Sequence, residues 1–114
     1  MDTRVQNILE HMLDDSLDVI RFTGEIGNAD AFAANRLYRK AIVMSILNIG
    51  ELSKNLPLEF KLTYNDIPWK KIAGMRDIAA HGYHVMDDDI IWDVAVKSIP
   101  ELADFLQVRL KDVM

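Results

Sequence analysis

Between Ala41 and Leu52 the chain carries Ile42, Val43, Met44, Ile46, Leu47, Ile49 and Leu52. At helical spacing these leave almost no solvated face, and a helix apolar all round is buried on all sides. A chain of 114 residues makes one domain with one core. Either the helix is wrapped by its own neighbours, or a second copy of the chain completes its cover. The second arrangement is expected, because so small a domain has few elements with which to surround one helix.

The rest of the chain reads as helices that pack against this one. Val5, Ile8, Leu9, Met12, Ser16, Val19 and Ile20 follow the helical period. Thr3-Arg4-Val5-Gln6 has the spacing of a capping box, so a helix is expected over about 3–23, ended by Gly24 and Gly27. Asn28 or Asp30 can cap a second helix running from about Asp30 to Asn55. Residues 57–66 read as a connector with one short helical turn. Ile67-Pro68-Trp69 opens a third helix, whose packing face is Ile72, Met75, Ala79 and Ala80, and Gly82 stands where it would end. Met86-Asp87-Asp88-Asp89 is a strong start signal, because carboxylates favour the positive end of a helix dipole. Ile90, Ile91, Val94 and Ala95 follow. Ser98-Ile99-Pro100-Glu101 repeats the capping-box spacing, so the last helix should break or kink near Pro100 before Leu102, Phe105, Leu106 and Leu110. With no alternating pattern and no repeat, the expected fold is all-α: an up-and-down bundle of four main helices over residues 1–114.

Composition narrows the chemistry. The absence of Cys removes disulfides, thiolate metal sites and thiol nucleophiles. Asp14, Asp15 and Asp18 interrupt the first apolar positions, so no signal peptide is expected, and no run of eighteen apolar residues could span a membrane. A cytoplasmic protein is the expectation. The net charge of −5 argues against a surface coated in nucleic acid. The charge is uneven, however. Arg36, Arg39 and Lys40 form one basic group and Lys70, Lys71 and Arg76 another, which leaves room for a local basic cleft.

The segment Arg76-Asp77-Ile78-Ala79-Ala80-His81-Gly82-Tyr83 gathers a cation, a carboxylate, an imidazole and a phenol within eight residues. A guanidinium holds a phosphate by charge and paired hydrogen bonds, and an imidazole moves protons near neutral pH. Those two groups suffice to cleave a phosphodiester without metal or cofactor. His81 would move the proton and Arg76 would stabilise charge on the phosphoryl oxygens. Asp77, four residues before His81, can orient its ring. On a regular helix positions 76 and 81 diverge by about 140°. They meet one phosphate only if the helix unwinds at Gly82 or if two subunits each supply a copy. Taken singly, each residue also has a structural role open to it: Arg76 in an ion pair with Asp77 or Glu51, His81 on the last carbonyls of a helix, Tyr83 as an amphipathic plug. Asn48 and Glu51, polar residues on the otherwise apolar second helix, can buttress the Arg76–His81 segment, or Glu51 can pair with a Lys or Arg. His11, His81 and His84 lack the spacing of a helical metal pair, and no metal or cofactor is expected.

The run Arg76-x4-His81-x-Tyr83 resembles the motif of HepT-like toxins, which belong to the HEPN superfamily of prokaryotic ribonuclease domains. Ile49-Gly50-Glu51-Leu52, the stretch from Ile67 to Arg76, Ile91-Trp92 and Ile99-Pro100-Glu101-Leu102 extend the resemblance over residues 35–106. It implies a homodimeric, metal-independent endoribonuclease, the toxin of a toxin–antitoxin module. The implied antitoxin is an MNT-type nucleotidyltransferase that attaches AMP to Tyr83. A phosphate and nucleotide at that position would repel and block an RNA backbone. Asp77 departs from the family, where Asn is common, and would favour a protonated His81; His84 adds a second imidazole. Two other readings stay open: a non-catalytic partner that binds nucleotide or presents substrate to a nucleotidyltransferase, and a purely structural dimerisation domain.

Overall fold

Periodic apolar residues and asparagine or aspartate caps divide the chain into seven α-helices in a computed structural model that describes residues 2–80 and 87–111, the side chains of 78–80 apart. They are α1 (Thr3–Ile26), α2 (Ala29–Ala34), α3 (Arg36–Lys54), α4 (Leu58–Thr63), α5 (Trp69–Ala80), α6 (Asp88–Asp93) and α7 (Ile99–Lys111). A π-helical turn, Val94–Ser98, joins α6 to α7. The main bodies are α1, α3, α5 and the composite last helix, and no strand occurs among the described residues. No helix among them is long and apolar enough to cross a membrane.

Where the helices begin and end follows from individual side chains. The capping box expected at Thr3 does not form. Asp2 caps α1 instead, its carboxylate accepting from the Arg4 N–H at 2.8 Å, and the Gln6 side chain donates to Glu10 rather than back to the cap. The helix runs through Gly24 and ends at Gly27, whose φ of 90° is a left-handed conformation that glycine adopts without cost. Asn28 caps α2 through the Ala31 N–H.

The single helix expected from Asp30 to Asn55 is broken. Asn35 is extended (φ −111°, ψ 102°) and its side chain accepts from the Tyr38 N–H, so one asparagine ends α2 and starts α3. The break turns Phe32 into the core, where its ring lies 5.5 Å from that of Trp92. Asp87 caps α6 as the acidic run foretold.

Near Pro100 the chain widens rather than restarting, which corrects the second expected capping box. Proline has no N–H, and in a regular helix its ring meets the carbonyl four residues back. A π turn moves that carbonyl away: the Ile99 N–H donates to the Val94 carbonyl, five residues back, and the helix continues.

The core is assembled on α3, which packs against α1 on one side and α5 on the other, while α7 closes over α1. Leu9, Met12, Val19, Phe32, Ile42, Ile49, Ala95, Ile99 and Leu106 are fully buried. Buried Ser16 and Ser53 return their hydroxyls to the Met12 and Gly50 carbonyls of their own helices. Helix α3 is less enclosed than its sequence suggested. Ile42, Ile46 and Ile49 are inside, but Leu37 and Met44 are 74% and 57% exposed within a single chain. They continue through Asn48 to Glu51 as one exposed stripe at helical spacing.

Candidate functional site

Arg76 reaches its place because α3 and α5 touch at a glycine. A Cβ added to Gly50 would lie 2.8 Å from the Arg76 Cβ, 2.9 Å from the Arg76 backbone N and 3.0 Å from the Ile72 carbonyl oxygen. Two of those atoms are backbone, so no side-chain rotation could relieve the overlap. Gly50 therefore sets how deeply the Arg76 turn sits against α3, and the next residue, Glu51, receives it. The Arg76 Nε lies 2.8 Å from the Glu51 Oε2, and Nη1 donates to the Asp77 Oδ1 at 3.2 Å. Among the described residues, nothing is bonded to the Nη2 edge of the guanidinium.

Exposed ion pairs of this kind add no more than about 1 kcal/mol to stability. Their consequence is geometric: a long, flexible side chain is held in one orientation, with a fixed edge outward. The same Asp77 oxygen accepts from the Lys54 Nζ at 3.4 Å. Hydrogen bonds from Arg76 and then Lys54, with the charge of Lys54, hold the Asp77 carboxyl below the usual carboxylate range. Two cations and two carboxylates balance locally, so a phosphate here would be recognised by directed N–H groups more than by surplus charge.

Asn48 faces the other way. It is hydrogen-bonded to Asp15 of α1, and the His81 end of the segment it was expected to buttress lies outside the described residues. Asp15 is half-buried, and its carboxyl is pushed up by burial and by repulsion from Asp18 and Asp14, partly offset by His11 and the Asn48 hydrogen bond. On α3, Asn48 leans toward α1 and Glu51 toward α5. Two residues of helix separate them, and their partners lie on opposite flanks.

The sequence placed Arg76, Asp77 and Glu51 in one site, and the structure brings these three together. His81, Tyr83 and the helix end at Gly82 lie outside the described residues, as does the expected contact between Asp77 and His81. Lys54 was missed. A lone lysine in the last turn of a helix reads as a partner for the helix dipole, and only the fold brings it to Asp77. Gly50 lies in the segment that resembles the family, and only the fold shows its close approach to α5.

The ribonuclease HepT-like family matches residues 6–109, and the chain belongs to that family. It is 33% identical to a protein of Methanocaldococcus jannaschii over 96% of this chain and 89% of that one. A protein of Caldanaerobacter subterraneus subsp. tengcongensis is 42% identical, over 82% of this chain and 83% of its own. Both are named as candidate RNases. A protein of Thermococcus cleftensis named a probable ribonuclease HepT is 37% identical over 71% of this chain and 73% of its own. No solved structure gives a significant match. The family supports a ribonuclease, with RNA as substrate.

Proposed function

We propose that this protein is a metal-independent endoribonuclease that cuts RNA by attack of the 2′-OH on its own phosphodiester, with Arg76 and His81 as the catalytic residues. The observation that carries the reading is the Arg76 guanidinium, pinned through Nε by Glu51 at 2.8 Å and through Nη1 by Asp77 at 3.2 Å, with its Nη2 edge unspent among the described residues. A guanidinium oriented before substrate arrives stabilises charge on a phosphoryl group without reorganising during the reaction. His81, five residues on, supplies the acid or base, and Asp77 favours its protonated form. Each proton released by the 2′-OH passes to an imidazole, and the 5′ oxygen takes one as it leaves. The products carry a 2′,3′-cyclic phosphate or its hydrolysed form.

The working unit of this proposal is a homodimer. The stripe from Leu37 through Met44 to Glu51 supports it, together with the apolar groove of about 210 Å³ lined by Phe22, Leu37, Tyr38 and Ala41. A second copy laid on that stripe would cover the apolar end and bring two Arg76 groups toward one cleft. In the same proposal the protein is the toxin of a toxin–antitoxin module in the cytoplasm. An MNT-type nucleotidyltransferase antitoxin silences it by placing AMP on Tyr83.

Incubating the purified protein and its His81→Ala variant with RNA in EDTA tests the reaction. Cleavage by the wild type and none by the variant is expected. Full cleavage by His81→Ala removes His81 from the scheme. RNA left whole by both assigns the chain instead to non-catalytic partnership with a nucleotidyltransferase.

A further inference from the structure

Lys54 is the charged residue of this site that catalysis by Arg76 and His81 does not use. Its Nζ and the Arg76 Nη1 contact the same oxygen of Asp77, at 3.4 and 3.2 Å. The two cations therefore lie within 6.6 Å of each other, the sum of those distances, and on one side of the α3–α5 seam. Both side chains are more than a third exposed, at 38% and 39%, so a ligand can reach both. Glu51 and Asp77 orient the guanidinium rigidly, whereas Lys54 ends in a compact ammonium on a flexible stem, with one donor directed at Asp77 and two more to give.

A nucleotide strand presents its charges as a row of phosphates. A rigid cation beside a flexible one, spaced by a shared carboxylate, fits two successive members of that row, one on the Nη2 edge of Arg76 and the next on the Lys54 ammonium. On the opposite flank the carboxylates of Asp14, Asp15 and Asp18 stand near one another, and they would repel a strand passing over α1. The strand is thereby directed across the C-terminal end of α3, where Lys54 sits.

We propose that Lys54 is a second phosphate-binding group, taking the backbone phosphate next to the scissile one, and that Asp77 is the bridge that fixes the spacing between the two cations. The proposal rests on the reading of Arg76 as the group that meets the scissile phosphate, and it names Lys54 as a substrate-positioning residue rather than a catalytic one.

The test compares a dinucleoside monophosphate, with one phosphate, and a trinucleoside diphosphate, with two. The readout is the ratio of their kcat/KM values. In Lys54→Gln the preference for the two-phosphate substrate should fall about fivefold through KM, and Lys54→Arg should restore it. Arg76→Ala should instead depress both substrates together by at least about 100-fold. A ratio unchanged in Lys54→Gln overturns the proposal. If the wild type cuts neither substrate, the nuclease reading fails on its own, and Lys54 is judged by binding of the 2′-deoxy forms of the same ligands. There Lys54→Gln should weaken the two-phosphate ligand selectively and lower the slope of log K against log salt by about 0.7, the effect of one phosphate contact on a single strand. Equal affinities and slopes for wild type and variant in that assay likewise overturn it.

Discussion

Asn48 and Glu51 stand three residues apart on α3, and the two flanks they serve differ in electrostatic character: one gathers carboxylates, the other pairs them with cations. Toward α1, Asn48 meets Asp15, whose carboxyl is pushed up because burial and the neighbouring Asp18 and Asp14 disfavour its charge. Toward α5, Glu51 meets Arg76, and Asp77 beside it is held low by Arg76 and Lys54. One helix thus divides a repelling flank from a receiving one. A polar residue on an apolar helix is therefore not evidence of a site by itself: Asn48 relieves a crowded carboxylate, while Glu51 aims a guanidinium.

The largest expected effect lies on the receiving flank. Arg76→Ala should lower kcat for RNA by roughly 100- to 1,000-fold with its helical circular dichroism unchanged. Glu51→Gln, which keeps the shape and loses the charge, should fall between that variant and the wild type. Equal activity in wild type and Glu51→Gln would break the comparison, because it would separate the Glu51 ion pair from the chemistry.

Next comes the contact that seats Arg76. Gly50→Ala should cost about 1–3 kcal/mol in denaturant unfolding, since the added methyl meets backbone of α5 at 2.9–3.0 Å. It should also reduce activity by displacing the Arg76 turn. Gly74, on α5 with nothing within 4 Å of an added Cβ, is the control. Gly74→Ala should stabilise by up to about 1 kcal/mol through helix propensity alone. If both substitutions shifted stability in the same direction, close approach would not be what Gly50 provides.

The smallest effect concerns the repelling flank. A carboxyl whose folded pKa is raised costs stability when ionised. That cost is complete above the folded pKa and disappears as pH falls below the unfolded value of 3.8. Asp15→Asn should therefore raise Tm modestly at pH 7, and the gain should vanish near pH 3. Asp77 has the opposite sign. Its depressed pKa contributes stability above the unfolded value, lost as pH falls through the lower folded pKa. Asp77→Asn should not raise Tm at pH 7, and a rise equal to that of Asp15→Asn would erase the contrast between the flanks.

Much of the scaffold was legible because burial follows the helical period. Val5, Ile8, Leu9, Met12, Ser16 and Val19 are all buried as their spacing required, and of that set only Ile20 stays on the surface. Asn28 and Asp87 announced their helices as caps. Asn35 did not, because it lies within a run that is helical on both sides, without glycine or proline, and its double role depends on the turn that places Phe32 inside. Pro100 announced a disturbance but not its form, since a break and a π turn answer the missing N–H equally well in sequence. At the site, Arg76, Asp77 and Glu51 were recognisable from residue type and motif. The direction of Asn48, the reason for Gly50 and the presence of Lys54 were not, because each is set by contacts between helices 22 or more residues apart in the chain.

The account stands most directly on the 2′-OH. Cleavage of an RNA oligonucleotide and of its DNA copy should be measured side by side in EDTA, with the new ends identified. The RNA should be cut to fragments ending in a 2′,3′-cyclic phosphate or its hydrolysed form while the DNA stays intact. Cleavage of both strands, or of neither, would contradict it.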